Sequence, residues 1–324
     1  MKHTKILAFL LCASAQTFAA APASPMNVWK MGVEGGMFTQ SYEGTGYTYN
    51  LNGDISNTPN GSMIYVAPGA KFSGGANVGY VFGNGQDINL SVFIRNNNAS
   101  SSHVFTGDDD DIATPRLPSD WELEDANSAN STFSYESDEI NLTVGQTFKL
   151  GSQTMLHPYA GLGLRKAVSN QTTNYFDIND EEGDNATVTE QSKAQGIGVV
   201  LGTDLSWGFA ENWAVTADAN VAIMTGKIKS SYVTQDNFDE DVYNLSAESK
   251  HSIFQQVTAK IGLSRSFMMN EQEGNVVFGY RVSEYTNAVQ SHNFVDDKND
   301  NALVSSLSNS GYSGFYAALN VKFA

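Results

Sequence analysis

Cysteine is almost missing from this chain: Cys12 is the only one in 324 residues, and it sits behind Leu11 within an N-terminal apolar run. Once that run is removed, disulfide bonding and thiol chemistry are excluded. A lipid anchor is excluded as well, because it needs a small residue just before the cysteine. Long apolar runs are missing too. The run at 6–13 falls short of the roughly 20 residues that a membrane-crossing helix needs, and nothing downstream makes up the length. Basic residues are scarce, 18 Lys and Arg against 35 Asp and Glu, for a formal net charge of −17. That balance argues against nucleic acid and other polyanions as partners.

The chain does carry an export signal at its start. Lys2 and Lys5 precede the apolar run and Ala19, Ala20 and Ala21 follow it, the charged, apolar and cleavable order of a secretory signal peptide. The expected division is a signal peptide at 1–20 and a single domain over 21–324. Removing Lys2 and Lys5 from the 18 basic residues leaves 16 against 35 acidic, a net charge of about −19. The 29 Gly, 14 Tyr and 18 Phe, with a mean hydropathy of −0.29, suit strands that are apolar on one face only.

Alternation with period two recurs along the chain and marks ten strands. The first covers 28–42, with Trp29, Met31, Val33 and Met37 on one face. Others follow at 71–82, 87–97, 133–149, 155–168, 194–209, 213–224 and 252–267, then around Val276, Phe278, Tyr280 and Val282, and finally at 311–324. Their connections alternate strictly. The links near 83–86, 150–154, 210–212 and 269–274 are short, while 43–70, 98–132, 169–193, 225–251 and 288–311 are long. This rhythm predicts an all-β fold, a transmembrane antiparallel up-and-down β-barrel of about ten strands, with 8 to 12 open. It places short turns in the periplasm and long acidic loops outside, in a bacterial outer membrane. The first long connection, with Pro59 and Gly61 between polar runs, has room for an extra hairpin.

The last strand reads GYSGFYAALNVKFA, with Phe315, Leu319, Val321 and Phe323 on its apolar face. It seals the barrel and is the segment the outer-membrane assembly machinery reads. Trp29, Phe82, Phe148, Trp207, Phe209, Trp213, Phe267 and Phe323 all fall beside the short-turn side, as an aromatic girdle would.

Several segments in order, GGANVGYVFGNGQDINLSVF, FSYESDEINLTVGQTFKLG, HPYAGLGLRKAVSNQTTNYF, AQGIGVVLGTDLSWGFAENWAVTADANVAIMTGKIKSSY and GNVVFGYRVSEYTNAV, resemble the Legionella-type major outer membrane protein family of pore-forming barrels. The resemblance runs from about Phe72 to the C-terminus. It implies passive diffusion of ions or small hydrophilic solutes, and it supplies no catalytic residue and no cofactor. The mature chain departs from the pattern in lacking cysteine and in placing Ala324 after the final aromatic.

The polar strand faces carry Lys71, Arg95, Lys149, Arg165, Lys260 and Arg281 against Asp87, Glu139, Asp204 and Asp218. In an aqueous channel such residues line the pore and set ion preference. In a barrel of about ten strands they are also able to pair into a plug, and the sequence leaves both open. The long loops hold most of the acid, including Asp108, Asp109, Asp110 and Asp111. Those oxygens suit divalent cations and lipopolysaccharide bridged by them, but a solvated, repelling loop is the simpler account and the favoured one. Among the histidines of the mature chain, His103, His157, His251 and His292, none is set by strand spacing beside an Asp or Ser, so no enzyme is expected. The competing reading is a non-conducting barrel that displays its loops for adhesion or cation and lipopolysaccharide binding.

Overall fold

A computed structural model describes residues 27–42, 45–51, 61–104, 112–113, 128–176, 185–236, 242–269, 272–295 and 302–323. Ten antiparallel strands form the wall: β1 (Val28–Tyr42), β2 (Lys71–Val81), β3 (Gln86–Val104), β4 (Ser128–Gln146), β5 (Thr154–Phe176), β6 (Asn185–Ala210), β7 (Trp213–Asp236), β8 (Val242–Met269), β9 (Gln272–Val295) and β10 (Ala302–Phe323). Each pairs with its neighbour in sequence. The barrel closes where β1 runs against β10, from Trp29↔Phe323 to Tyr42↔Ser310. Within the apolar band closure leaves no sheet edge unpaired, which the bilayer interior demands of any strand structure; on the loop side the β8–β9 ladder ends at Gln255↔Thr286 and the β2–β3 ladder at Gly74↔Ile94.

The short turns need unusual backbone at single residues. Gly85 and Gly151 have φ of 83° and 93°, and Asn212 has 63°, in the links after β2, ahead of β5 and after β6. Outward residues over the membrane are large and apolar, and they stay exposed because lipid covers them: Phe315 is 74% accessible and Phe72 72%. At the short-turn rim Trp29 stands edge-on to Tyr80, and Arg265 sits 5.4 Å over the Trp213 ring, the amphipathic arrangement of an interfacial girdle.

The strands run further than the hydrophobic alternation reaches. β5 continues to Phe176 and β6 starts at Asn185, so much of the expected connection 169–193 is strand; the same holds for 225–251 and 288–311. The cause is the change of solvent on one face. Beyond the bilayer the outward residues meet water and become polar, while Ser169, Gln171, Thr173 and Tyr175 still alternate inward and buried. The change is sharp. Leu164 on β5 lies opposite Ile197 on β6; the next outward row is Lys166, Gln195 and Lys227, directly opposed across β5, β6 and β7.

The first long connection does contain a hairpin, Gly46–Leu51 against Gly61–Tyr65, with Ile112–Ala113 as a third strand. This small sheet is tethered inside the loop end of the barrel. Tyr175 Oη donates to Tyr47 O at 2.5 Å, Gln171 Nε2 to Thr45 O at 3.3 Å, and Asn97 Nδ2 to Gly69 O at 3.0 Å. Tyr47 and Val66 pack there with Phe133, Tyr135 and Tyr232 in one buried cluster. A register shift in β9 between Tyr285 and Val289, with Asn287 at φ 59°, turns that strand inward, and Gln290 N donates to Ser192 Oγ on β6 at 2.9 Å.

Candidate functional site

Below that filled end a second group of side chains crosses the lumen. Seven strands contribute, because each places every second residue inward. Glu139 on β4 is its centre and is 4% exposed. Its Oε1 accepts from Gln256 Nε2 at 2.8 Å and from Tyr285 and Tyr312 Oη at 2.9 Å each, and its Oε2 accepts from Arg281 Nη2 at 3.1 Å. Arg281 Nη1 also donates to Glu34 Oε1 at 2.8 Å, and Lys260 Nζ donates to Glu34 Oε2 at 2.5 Å. Arg165 Nε donates to Gln256 Oε1.

Aromatic rings carry the guanidinium groups on their faces. Arg281 lies 3.8 Å from the Phe93 centroid, and Arg95 lies 4.0 Å from Tyr312 and 4.8 Å from Tyr135, a geometry that compensates part of the hydration these cations lose. Arg95 further donates to Gln40 Oε1 and, at 3.3 Å, to Ser137 Oγ. A buried ion pair holds its place best when its remaining polar atoms are satisfied; four donors saturate Glu139, whereas Arg281 Nε and Arg95 Nη2 are buried without a hydrogen-bond partner among the described residues.

From this layer to the short-turn rim the lumen is hollow, a cavity of about 1030 Å³. Lys30, Glu34, Asp87, His157, Asp204, Asp218 and Lys260 line it, with Lys149, Glu273 and Lys322 toward the rim. Several charges on its wall are paired: Lys30 with Asp87 at 2.6 Å, and Lys322 with Glu273 at 3.1 Å. His157 Nδ1 bonds Asp204 Oδ2 at 2.9 Å, and its Nε2 lies 3.1 Å from Asp87 Oδ2 as a close charge contact without hydrogen-bond alignment. Tyr159 Oη donates to Asp218 Oδ2 at 2.9 Å. Gly202 makes room for the Tyr159 ring, since a Cβ there would fall within contact distance of it.

His157, Asp204, Asp218, Lys260 and Arg281 are directly opposed in turn on β5, β6, β7, β8 and β9. Since strands tilt in a barrel, this line of partners climbs obliquely from near the short-turn rim to the layer.

The residues anticipated as pore-lining therefore divide. Lys149, Glu139, Asp204, Asp218, Lys260 and Arg281 line the cavity; Arg95 and Arg165 are buried at the layer; Lys71 is exposed at the loop end of β2, outside the cavity. Of the terminal strand, Phe315 and Leu319 face outward, and Val321 and Phe323 are half-buried near the rim. Asp108, Asp109, Asp110 and Asp111 lie outside the described residues, and among the described residues no group of three acidic, His or Cys side chains is placed to hold a metal ion.

One expectation is corrected. Strand spacing alone sets no histidine beside an Asp, yet in the structure His157 lies directly opposite Asp204. Periodicity gives the face of a residue but not its partner, which depends on register with a strand 47 residues away. His103 and His251 stand apart from this group, His103 half-buried on β3 and His251 exposed on β8, and the His292 side chain is outside the description. Glu34, Lys30, Gln256, Tyr285 and Tyr312 were missed altogether. Glu34 and Lys30 alternate with the apolar residues of β1 and were legible from that alternation.

None of the curated proteins matches the sequence. Among solved structures, the outer membrane protease OmpT from Escherichia coli aligns at 10% identity over 96% of this chain and 99% of its own, with a TM-score of 0.43. The CymD monoaromatic hydrocarbon channel aligns at 9% over 95% of each chain, TM-score 0.36. A Pseudomonas aeruginosa FadL homologue aligns at 7% over 92% and 90%, TM-score 0.29. The family model described as Legionella pneumophila major outer membrane protein precursor matches residues 22–323, reaching well upstream of the segments that first suggested it. Over nearly its whole length, then, the chain is a member of the Legionella major outer membrane protein family.

Proposed function

We propose that this outer membrane barrel is porin-like, passing ions or small hydrophilic solutes by diffusion along the charged vestibule, with the Glu139–Arg281 layer as its gate. The observation that carries this reading is the cavity of about 1030 Å³, lined by both signs of charge and reaching from the short-turn rim to the layer. A lumen meant only to be packed would fill that volume with apolar side chains. The proposal gives His157 a structural part, since both of its ring nitrogens face carboxylates.

A second reading has its own support. The loop end is occupied by the small sheet around Tyr47 and by the inward turn of β9, which favours a non-conducting barrel displaying its loops. Single-channel recording of the refolded mature chain in potassium chloride separates the two. Discrete steps whose cation-to-anion preference changes in a Lys260→Gln variant support the porin-like reading; silence from folded wild type and folded Glu139→Ala alike sinks it.

A further inference from the structure

Among the described residues, the outward cations at the loop-side limit of the apolar band gather on β5, β6 and β7. Lys166 on β5, Lys193 on β6, and Lys227 and Lys229 on β7 occupy two adjacent outward rows. Just below them lie Leu164 and Ile197, 48% and 51% accessible. At the same height β1, β3, β9 and β10 present Thr39, Asn96, Glu284 and Ser313. In a chain with 18 basic residues against 35 acidic, four lysines on three adjoining strands are a local reversal of sign.

The arrangement is also unfavourable as it stands. Lys193 and Lys229 are directly opposed across β6 and β7, where like charges destabilise a sheet. Lys227 and Lys229 share one carboxylate, Glu248, at 3.7 and 3.4 Å, and Lys166 has Asp138 at 3.4 Å and Glu136 at 4.0 Å. Exposed pairs of this kind contribute little and exchange readily. Lys193 makes no ion pair among the described residues. An anion between Lys193 and Lys229 would turn the repulsion into attraction, and the patch sits where the headgroups of the outer leaflet begin.

We propose that these four lysines form a docking site for the phosphorylated headgroup of lipopolysaccharide, with its acyl chains lying on Leu164, Ile197 and Ile223 and a phosphate between Lys193 and Lys229. The site rests on the outer-membrane placement of the barrel and is independent of whether the lumen conducts. Flexible ammonium groups suit a phosphate as point charges, and lysines at a membrane surface contribute about 1 kcal/mol each toward an anionic lipid.

The test uses the refolded mature chain in detergent, with binding and thermal unfolding measured against lipopolysaccharide, dephosphorylated lipopolysaccharide, phosphatidylglycerol and inorganic phosphate. The K193Q/K229Q variant is expected to bind lipopolysaccharide about thirty-fold more weakly, the equivalent of about 2 kcal/mol for two lysines. R265Q, at the opposite rim, should bind as wild type does. Folding of each variant is checked by heat-modifiable gel migration, and without lipid K193Q/K229Q should be at least as stable as wild type, since a repulsion is removed. Equal binding by wild type and K193Q/K229Q overturns the proposal. So does equal stabilisation by the dephosphorylated lipid, by phosphatidylglycerol or by free phosphate.

Discussion

Removing the carboxylate of Glu139 is the sharpest perturbation of the layer. In Glu139→Ala the Gln256 amide and the Tyr285 and Tyr312 hydroxyls lose the acceptor they share at 2.8 to 2.9 Å, and Arg281 keeps only Glu34. Breaking a buried pair from one side costs about 3–5 kcal/mol, and each orphaned buried donor about 1–3 kcal/mol. These contributions overlap, and vestibule water relieves part of them, so the expected loss is about 4 kcal/mol. Glu139→Gln keeps an acceptor oxygen for the tyrosines and should lose about half as much. Urea unfolding in lipid vesicles reads the difference through tryptophan fluorescence, since Trp29, Trp207 and Trp213 face outward at the short-turn rim. A Glu139→Ala midpoint corresponding to less than about 1 kcal/mol would refute the view that this carboxylate organises the layer.

Three further outcomes follow from the packing. Leu319→Lys places a charge on a lipid-facing site that is 42% accessible and midway between Phe323 at the rim and Ser313 at the loop-side limit of the apolar band, and should lower stability in vesicles by about 2–4 kcal/mol, the value for a site near the bilayer centre, while changing little in conductance. Gly202→Val forces the Tyr159 ring away from Asp218, with an overpacking cost of about 1–3 kcal/mol; denaturant unfolding checks it, and Gly202→Ala should show a smaller form of the same loss. Tyr175→Phe removes the hydroxyl bonded to Tyr47 O, at about 1 kcal/mol; limited proteolysis should then cut the connection between β1 and β2 faster, with the barrel wall left intact.

What could be read from the sequence follows from where lipid touches the chain. Lipid on one face imposes strict alternation, so Val215, Ala217, Ala219, Val221 and Ile223 mark β7 directly. The turns at Gly85 and Asn212 are legible for a related reason, because an abrupt reversal needs residues that tolerate positive φ. Where the outer face meets water the constraint lapses, and the upper part of β7, through Lys227, Lys229 and Ser231, reads as polar loop although it is strand. Cross-lumen partners are hidden for a different reason. Glu34 meets Lys260 and Arg281 across separations of 226 and 247 residues, distances fixed by the register of every strand between them.

The strands that outrun the bilayer make the exposed end of this molecule a stiff turret. From Thr225 to Gln235 β7 rises about ten residues above the last apolar row, roughly 25 Å of height at about 3.3 Å per residue and a tilt near 40°. Hydrogen bonds to β6 and β8 hold that height as far as Gln235, so the strand ends cannot lie down among the lipid sugars as a free chain would. Whatever touches them from outside meets a fixed stand-off. Substitutions at the tips can then alter the outer face of the cell without disturbing the part of the barrel that lipid holds.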